Sequence, residues 1–201
     1  MRKREASFVF GIDEVGRGPL AGPVVAVALT APVDYRVSSI NYEIRDSKKM
    51  SFQQREEIFA ILKKHPRVWW GIGRVSERVI DKINIFESTK LAMIRAVKGL
   101  EKKTKRQAQQ LLIDGNFGIA LVRPQQSIIK GDETVYLIKL ASIVAKVHRD
   151  RLMMRYHQKY PQYGFNQHKG YGTKLHIEMI KRYGPCAIHR RSFAPISRDF
   201  L

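Results

Sequence analysis

The segment from Phe8 to Gly22 constrains the fold of this chain more than any other. An apolar run at residues 8–12 is followed by two adjacent carboxylates, Asp13 and Glu14, and then by the glycine-rich residues 16–18. Neighbouring side chains on a strand point to opposite faces, so Asp13 can face a cation, whereas Glu14 reaches it only if the chain turns there. Glycines permit that turn and let backbone N–H groups approach a phosphate. The pattern indicates a metal-dependent phosphodiester site; the alternative is a strand end with solvated carboxylates.

The charge of the chain indicates a polyanionic partner. Its 201 residues contain 37 Lys and Arg but only 18 Asp and Glu, which gives a formal charge of +19. Such a field attracts nucleic acid strongly and in a salt-sensitive way. No segment approaches the roughly 18 consecutive apolar residues of a spanning helix, and no signal-peptide pattern follows the basic N-terminus. We therefore expect a cytoplasmic protein without a membrane partner.

The length predicts one domain over residues 1–201, with a catalytic core at about 1–160 and a C-terminal loop, helix and basic tail at about 161–201. The single cysteine, Cys186, excludes an intramolecular disulfide and a thiolate metal cage, and the six histidines lack the spacing of a zinc site. Any metal should be a hard ion held by oxygen, Mg²⁺ or Mn²⁺. No phosphate-binding motif of a nucleotide enzyme is present, so no nucleotide or organic cofactor is expected.

Hydrophobic periodicity and end signals predict strands alternating with helices. The strands are expected at Ser7–Ile12, Pro23–Thr30, Val68–Val75, Leu111–Ile113 and Gln126–Ile129. Helices are expected at 51–64, 76–83, 85–103, 135–159 and 173–182, the first capped by Ser51 and packed through Phe52, Ile58, Phe59 and Leu62. Residues 161–172 are predicted as a loop, and residues 184–201 are left unassigned. This order predicts an α/β fold with a mixed five-stranded sheet flanked by helices.

Acidic side chains follow several of the predicted strands. Asp114 comes directly after the fourth strand and Asp132 follows the fifth, as Asp13 and Glu14 follow the first. If the first and fourth strands are parallel neighbours, their carboxylates meet at one end of the sheet. Carboxylates that close repel one another unless a divalent cation lies between them, and four of them can hold two ions about 3.5–4 Å apart. Taken alone, Asp114 is more typical of a turn.

The sequence resembles bacterial ribonuclease HII in eight segments that occur in that family's order. These segments lie at 11–22, 46–49, 84–85, 112–116, 130–132, 141–150, 163–173 and 189–193. The resemblance implies a ribonuclease H-like fold with a small C-terminal helical extension. It also implies a site of four catalytic, metal-binding carboxylates with two Mn²⁺ or Mg²⁺ ions, which falls on Asp13, Glu14, Asp114 and Asp132. Glu133 follows Asp132 directly and is the alternative for the fourth position.

The resemblance also implies a substrate and the residues that bind it. Gly16, Arg17 and Gly18 would read the 2′-hydroxyl and phosphate at an RNA–DNA junction, largely through the backbone. The ring of Tyr171 would stack on the deoxyribose after the ribonucleotide, unless it is a core tyrosine in a tight loop. Further substrate-binding residues are Lys48 and Lys146. We expect a monomer, and a replication clamp as a partner of the C-terminal tail is left open by the sequence.

The sequence predicts the first of three functions and leaves the other two as alternatives. The first is an endonuclease that cuts the RNA strand of RNA–DNA hybrids and cuts 5′ of single ribonucleotides in duplex DNA, for replication and repair, leaving 3′-hydroxyl and 5′-phosphate ends. The second is a basic nucleic-acid-binding protein without catalysis, which would gain nothing from four carboxylates facing a phosphate backbone. The third is another metal nuclease on the same fold, of integrase or resolvase type, which would cut an all-DNA duplex.

Overall fold

A mixed sheet forms the centre of the computed structural model, which describes residues 8–45 and 47–199. Within those ranges the sheet has five strands: β1 Val9–Val15, β2 Val24–Thr30, β3 Trp69–Val75, β4 Gln110–Asp114 and β5 Gln125–Ile128. Their order is β3-β2-β1-β4-β5. The pairs β1–β2 and β2–β3 are antiparallel, whereas β1–β4 and β4–β5 are parallel. The predicted mixed five-stranded sheet is confirmed.

Helices cover both faces of this sheet. They are α1 Phe52–Lys64, α2 Glu77–Thr104, α3 Gly131–Thr134, α4 Tyr136–Lys159, α5 Phe165–His168, α6 Lys174–Tyr183 and α7 Ile196–Asp199, with a 3₁₀ turn at Pro161–Tyr163. The side chains of Ser51 and Gln54 form a capping box at the start of α1. Asn84 is non-helical, with φ of 63°, and divides α2 where the sequence predicts two helices. No helix in the described ranges is long and apolar enough to cross a membrane.

Glycines bring the helices directly onto the strands. A Cβ atom at Gly73 would lie 1.8 Å from the carbonyl oxygen of Ala92 in α2, and one at Gly71 would lie 2.2 Å from that of Ala96. On the opposite face, a Cβ at Gly11 would lie 2.5 Å from the backbone of Leu137 in α4. Because these positions carry no side chain, α2 and α4 pack close to the sheet from opposite sides, burying a core on each face.

The C-terminal elements form a third apolar cluster. Met153 of α4 packs with Phe165 and Ile180 of α5 and α6 and with Leu20 and Ala21, which precede β2. Ala21 also forms an isolated antiparallel bridge with His189. The predicted C-terminal helical extension is therefore present, and it lies against the loop that follows β1.

Four predictions on the elements need correction. Strand β1 extends past Ile12 to Val15, because its pairing with β2 continues to the pair Val15–Val25; its predicted start, Ser7, lies outside the described residues. Residues 161–172 contain the 3₁₀ turn and α5 rather than a plain loop. The predicted helix from 135 is preceded by the short helix α3. Phe52 is 52% exposed, since it opens α1 before the helix reaches the core.

Candidate metal and nucleic-acid site

Three carboxylates meet at the end of the sheet where β1 and β4 both terminate. Asp13, Glu14 and Asp114 each offer an oxygen atom, and these atoms lie within 4.8 Å of one another. The cause is the parallel pairing of the two strands, whose register matches Ile12 with Ile113 and carries Asp114 to the same end as Asp13. We call these three residues the acidic cluster. The sequence predicted this convergence from the positions of the carboxylates after their strands.

Glu14 reaches the acidic cluster from inside β1, paired with Ala26, so the expected turn at this residue is wrong. It lies one residue from the end of the strand and has a longer side chain than Asp13. Its oxygen Oε2 is buried and has no hydrogen-bond partner among the described residues, whereas Oε1 accepts a bond from Arg17 Nη1 at 3.4 Å. A buried, unsatisfied carboxylate oxygen beside two other carboxylates is the donor set that a hard divalent cation prefers.

Burial and mutual repulsion shift the titration of the acidic cluster. Desolvation raises the pKa of Asp13 well above its usual value, and the charges of Glu14 and Asp114 raise it further, although a hydrogen bond from Ser142 opposes them. Desolvation also raises the pKa values of Glu14 and Asp114. A divalent cation among the three groups would supply the compensating charge. The residues present therefore fit a Mg²⁺ or Mn²⁺ site.

Asp132 lies beside the acidic cluster rather than within it. The N–H groups of Gly131 and Asp132 donate to Asp114 Oδ1 at 2.7 and 3.3 Å, so α3 is fixed to the end of β4. The Asp132 carboxylate is buried and accepts a bond from Lys48 Nζ at 3.3 Å. Its charge raises the pKa of Asp114, after the larger contribution of burial. The neighbouring Glu133 is exposed, which favours Asp132 over Glu133 as a fourth ligand.

Gly16, Arg17 and Gly18, which we call the glycine loop, follow β1 immediately. Gly16 has φ of 93°, and a Cβ there would lie 2.2 Å from Arg149 Nε, so only glycine fits. A Cβ at Gly18 would lie 3.7 Å from the nearest atom, Cε1 of Tyr171, which is ordinary contact. The glycine loop and Tyr171 therefore face each other across a short gap.

A groove of about 420 Å³ lies beside Glu14 and Tyr171. Its lining includes Glu14, Lys48, Lys146 and Tyr171, so it contains three of the predicted substrate-binding residues together with a carboxylate of the acidic cluster. Lys146 pairs with the buried Asp150 at 2.8 Å. Tyr171 is 43% exposed, which contradicts the alternative of a core tyrosine.

Residues 10–196 match the family model of ribonuclease HII. The chain belongs to the ribonuclease HII family. It is similar to ribonuclease HII of Syntrophobacter fumaroxidans, with 51% identity over 94% of this chain and 77% of that protein. It resembles ribonuclease H2 from Pyrococcus horikoshii OT3, with 25% identity and a TM-score of 0.74 over 94% of this chain and 95% of that one. It also shares the fold of RNase HII from Archaeoglobus fulgidus, solved in complex with PCNA, with 23% identity and a TM-score of 0.71 over 92% and 95%.

Membership of the ribonuclease HII family confirms the predicted family, the ribonuclease H-like fold and an enzyme of ribonuclease H type. Binding of nucleic acid as substrate, predicted from the charge of the chain, agrees with that activity. The acidic cluster agrees with metal dependence.

Two buried arginines of this ribonuclease HII site were missed by the sequence analysis. Arg190 donates to the carbonyl oxygens of Gly16 at 2.5 Å and Arg17 at 2.7 Å, and also to that of Gly22. Arg149 donates to the carbonyl oxygens of Ala21, Pro23 and Lys169 at 3.0–3.2 Å. Both side chains are fully buried, and their charge is balanced by carbonyl dipoles rather than by a carboxylate in these contacts.

The contacts of Arg190 orient the glycine loop. In a trans peptide, the C=O and N–H of one unit point in opposite directions. Since the carbonyls of Gly16 and Arg17 point inward to Arg190, the N–H groups of Arg17 and Gly18 point away from it. In the sequence, the role of Arg190 was indicated only by its position in the segment 189–193, which resembles the family.

Proposed function

We propose that this ribonuclease HII cuts the RNA strand of RNA–DNA hybrids and cuts 5′ of a single ribonucleotide in duplex DNA, leaving 3′-hydroxyl and 5′-phosphate ends. Ribonuclease H activity follows from family membership. The observation that carries the proposal further is the acidic cluster, in which a buried oxygen of Glu14 lacks a partner among the described residues. Ribonucleotide removal during DNA replication and repair is the corresponding cellular role.

We assign Asp13, Glu14 and Asp114 to metal binding, with Asp132 as the fourth carboxylate beside Asp114. Two Mg²⁺ or Mn²⁺ ions would supply an activated water and charge stabilisation of the leaving oxygen. The protein's own contribution is to hold the carboxylates together at one end of the sheet, which costs free energy without a cation because burial already raises their pKa values. Lys48 neutralises part of this charge through Asp132.

The glycine loop and Tyr171 would select the substrate. The N–H groups of Arg17 and Gly18 point away from Arg190 and can donate to a phosphate or a 2′-hydroxyl. The 2′-hydroxyl is the group that distinguishes RNA from DNA. Opposite them, the exposed ring of Tyr171 can stack on the next sugar, where a deoxyribose fits better than a ribose, whose 2′-hydroxyl would crowd the ring. Lys48 and Lys146, which also line the groove, would approach the backbone.

Partners and location form a separate part of the proposal. The Archaeoglobus fulgidus relative was solved in complex with PCNA, and this supports a replication clamp as a partner of the C-terminal tail here, whose last residues, 200 and 201, lie outside the described ranges. We further propose that residues 1–201 form a single domain and that the protein acts as a monomer in the cytoplasm. Analytical ultracentrifugation with and without a replication clamp would test both the monomeric state and binding to the clamp.

The proposed function is tested by mapping cuts in three labelled substrates, each with and without Mg²⁺ or Mn²⁺. We expect cleavage of a long RNA–DNA hybrid and a single cut 5′ of one ribonucleotide in duplex DNA, both only with metal, and no cleavage of an all-DNA duplex. Cutting of the all-DNA duplex would instead support an integrase- or resolvase-type nuclease. Binding without any cutting would support a non-catalytic nucleic-acid-binding protein.

A further inference from the structure

Three buried histidines surround the backbone of Tyr171. His168, His176 and His189 are at most 8% exposed. The rings of His168 and His176 stack at 4.3 Å, and those of His176 and His189 lie 5.2 Å apart. The ring of Phe165 contacts all three, so the histidines lie in a largely apolar pocket. The proposed function leaves these residues without a role, although they are buried polar groups next to a proposed specificity residue.

The hydrogen bonds of two of these histidines fix their tautomers. The backbone N–H of Cys186 donates to His189 Nδ1 at 2.8 Å, so the proton of this neutral ring is on Nε2. His189 Nε2 then donates to His176 Nε2 at 3.0 Å, which leaves the His176 proton on Nδ1. His176 Nδ1 therefore donates to the carbonyl oxygen of Tyr171 at 2.9 Å. Three successive hydrogen bonds thus lead from Cys186 through His189 and His176 to Tyr171.

This series of hydrogen bonds requires the rings of His176 and His189 to be neutral. Burial lowers the pKa of His176 to about 3 and that of His189 to about 4, with neighbouring histidines adding to the effect. Protonation of His176 would place two N–H donors face to face at the 3.0 Å contact between the Nε2 atoms, and protonation of His189 would do so at its contact with the N–H of Cys186. Near neutral pH His176 Nδ1 therefore donates to the carbonyl oxygen of Tyr171, which also accepts the N–H of Thr173 at 2.8 Å.

The peptide groups before Tyr171 are held by His168. Its Nδ1 accepts the N–H of Gly170 at 3.2 Å, and its own carbonyl oxygen accepts the N–H of Tyr171 at 2.9 Å. Gly170 has φ of 88°, and a Cβ there would lie 2.5 Å from the carbonyl oxygen of Ala21, so this turn is closely packed. The backbone of Tyr171 is therefore fixed at both its N–H and its C=O, while its ring is exposed in the groove.

We infer that His176, oriented by His189, is a positioning residue that fixes Tyr171 at the groove and thereby sets the preference for a single ribonucleotide in DNA over a long hybrid. This inference rests on the proposed function, in which Tyr171 reads the junction. The carbonyl contact acts on Tyr171, whose ring lies 3.7 Å from the position of a Cβ at Gly18 in the glycine loop. Loss of the contact should therefore change selectivity more than it changes catalysis.

Two substitutions of His176 separate its contacts. His176→Asn places an amide donor near the position of Nδ1 and can keep the bond to Tyr171, whereas His176→Gln places its amide near Nε2 and can keep only the bond to His189. The readout is the ratio of kcat/KM on duplex DNA with one ribonucleotide to kcat/KM on a long hybrid. We expect His176→Gln to lower this ratio about fivefold, as for one lost neutral hydrogen bond, and His176→Asn to stay within about twofold of the parent.

A second pair of measurements shows whether the effect passes through Tyr171. In the Tyr171→Ala background, His176→Gln should leave the ratio unchanged, because the ring that it positions is gone. Thermal melts accompany every variant. If His176→Gln does not fold, His189→Asn provides the same test, since it keeps an acceptor for Cys186 but loses the bond to His176; its ratio should also fall, and an unchanged ratio would contradict the inference.

The remaining outcomes separate this inference from the proposed function. A lowered ratio in Tyr171→Ala but not in His176→Gln overturns the positioning role and leaves junction reading by Tyr171 intact. Equal losses on both substrates in His176→Gln also overturn it, because the histidine would then act on the fold alone. An unchanged ratio in Tyr171→Ala overturns both the positioning role of His176 and junction reading by Tyr171.

Discussion

The carboxyl of Asp13 has the most unfavourable surroundings among the predicted metal ligands, because burial and two neighbouring carboxylates all favour its protonated form. We predict that Asp13→Asn and Asp114→Asn each reduce cleavage to background while substrate binding persists. Each change removes a metal ligand but also removes repulsion, so the metal-free variants should melt at the temperature of the parent or higher.

This prediction is checked by cleavage, binding and thermal melts on the same preparations. Asp34→Asn is the matched control, because Asp34 is exposed and lies outside the acidic cluster. It should retain full activity. Near-parental cleavage by either cluster variant would contradict the metal assignment.

The exposed ring of Tyr171 allows a comparison that a buried tyrosine would not. Tyr171→Ala should lose activity on a single ribonucleotide in DNA by the equivalent of about 1–3 kcal/mol of stacking, whereas Tyr171→Phe should keep most of it because the ring face does the stacking. Steady-state kinetics on that substrate give both values. Equal losses would assign the effect to the phenolic hydroxyl, and no loss in either would remove Tyr171 from substrate recognition.

At the scale of elements, the two glycines of the glycine loop are expected to have different roles: Gly16 is needed for folding and Gly18 for substrate binding. Gly16→Ala should destabilise the fold by at least about 1 kcal/mol, because its Cβ would meet Arg149 and its φ is positive. Gly18→Ala should leave the melting temperature nearly unchanged, since its Cβ has room, but should reduce cleavage by obstructing close approach of the backbone. Arg17→Ala should cost less activity than Gly18→Ala. A larger defect in Arg17→Ala would assign substrate reading to the side chain.

Two buried histidines, His176 in α6 and His189 after it, predict how stability depends on pH. Burial lowers the folded-state pKa of His176 to about 3 and that of His189 to about 4, while an unfolded histidine titrates near 6.5. Below about pH 6.5 the unfolded chain binds protons that the folded chain does not. The contribution of these histidines to the free energy of unfolding is therefore fully present above that pH. It decreases as the pH is lowered towards 4, by up to about 1.4 kcal/mol per pH unit for each histidine.

The acidic cluster acts in the opposite direction, since raised carboxyl pKa values favour the folded state as pH falls. The decisive comparison is therefore between the parent and His176→Asn in urea unfolding at pH 4.5 to 7. The variant lacks His176, one of the two buried histidines. Its free energy of unfolding should therefore fall less steeply than that of the parent as the pH is lowered. Identical slopes would mean that His176 is not held neutral in the folded protein.

The elements that the sequence predicted well are those whose signal lies within one stretch of chain. The positions of strands β1 and β4 and of their carboxylates follow from short apolar runs that precede acidic residues, although β1 continues through Asp13 and Glu14 to Val15. The roles of Arg190 and His176 could not be predicted in this way, because Arg190 contacts a loop 168 residues earlier and His176 meets His189 only through the packing of the C-terminal elements. Helix α5 was missed because it is one turn long and lies between Gly164 and Lys169, both in the left-handed region.

At the scale of the whole molecule, a chain with a formal charge of +19 contains a site built from carboxylates. The positive field brings a nucleic acid to the surface, and the acidic cluster repels the phosphate that it must approach. A divalent cation resolves this conflict, because it carries the positive charge to the end of the sheet where the strands place Asp13, Glu14 and Asp114. We therefore expect cleavage to depend on a divalent cation at the acidic cluster.

The most direct test is anomalous diffraction from crystals grown in Mn²⁺ with duplex DNA that contains one ribonucleotide next to a non-hydrolysable linkage. We predict two anomalous peaks about 3.5–4 Å apart, in contact with Asp13, Glu14 and Asp114 and with Asp132 completing one of them. A single peak would contradict the two-ion proposal. No peak at these carboxylates, or peaks only elsewhere on the protein, would contradict the assignment of the metal site itself.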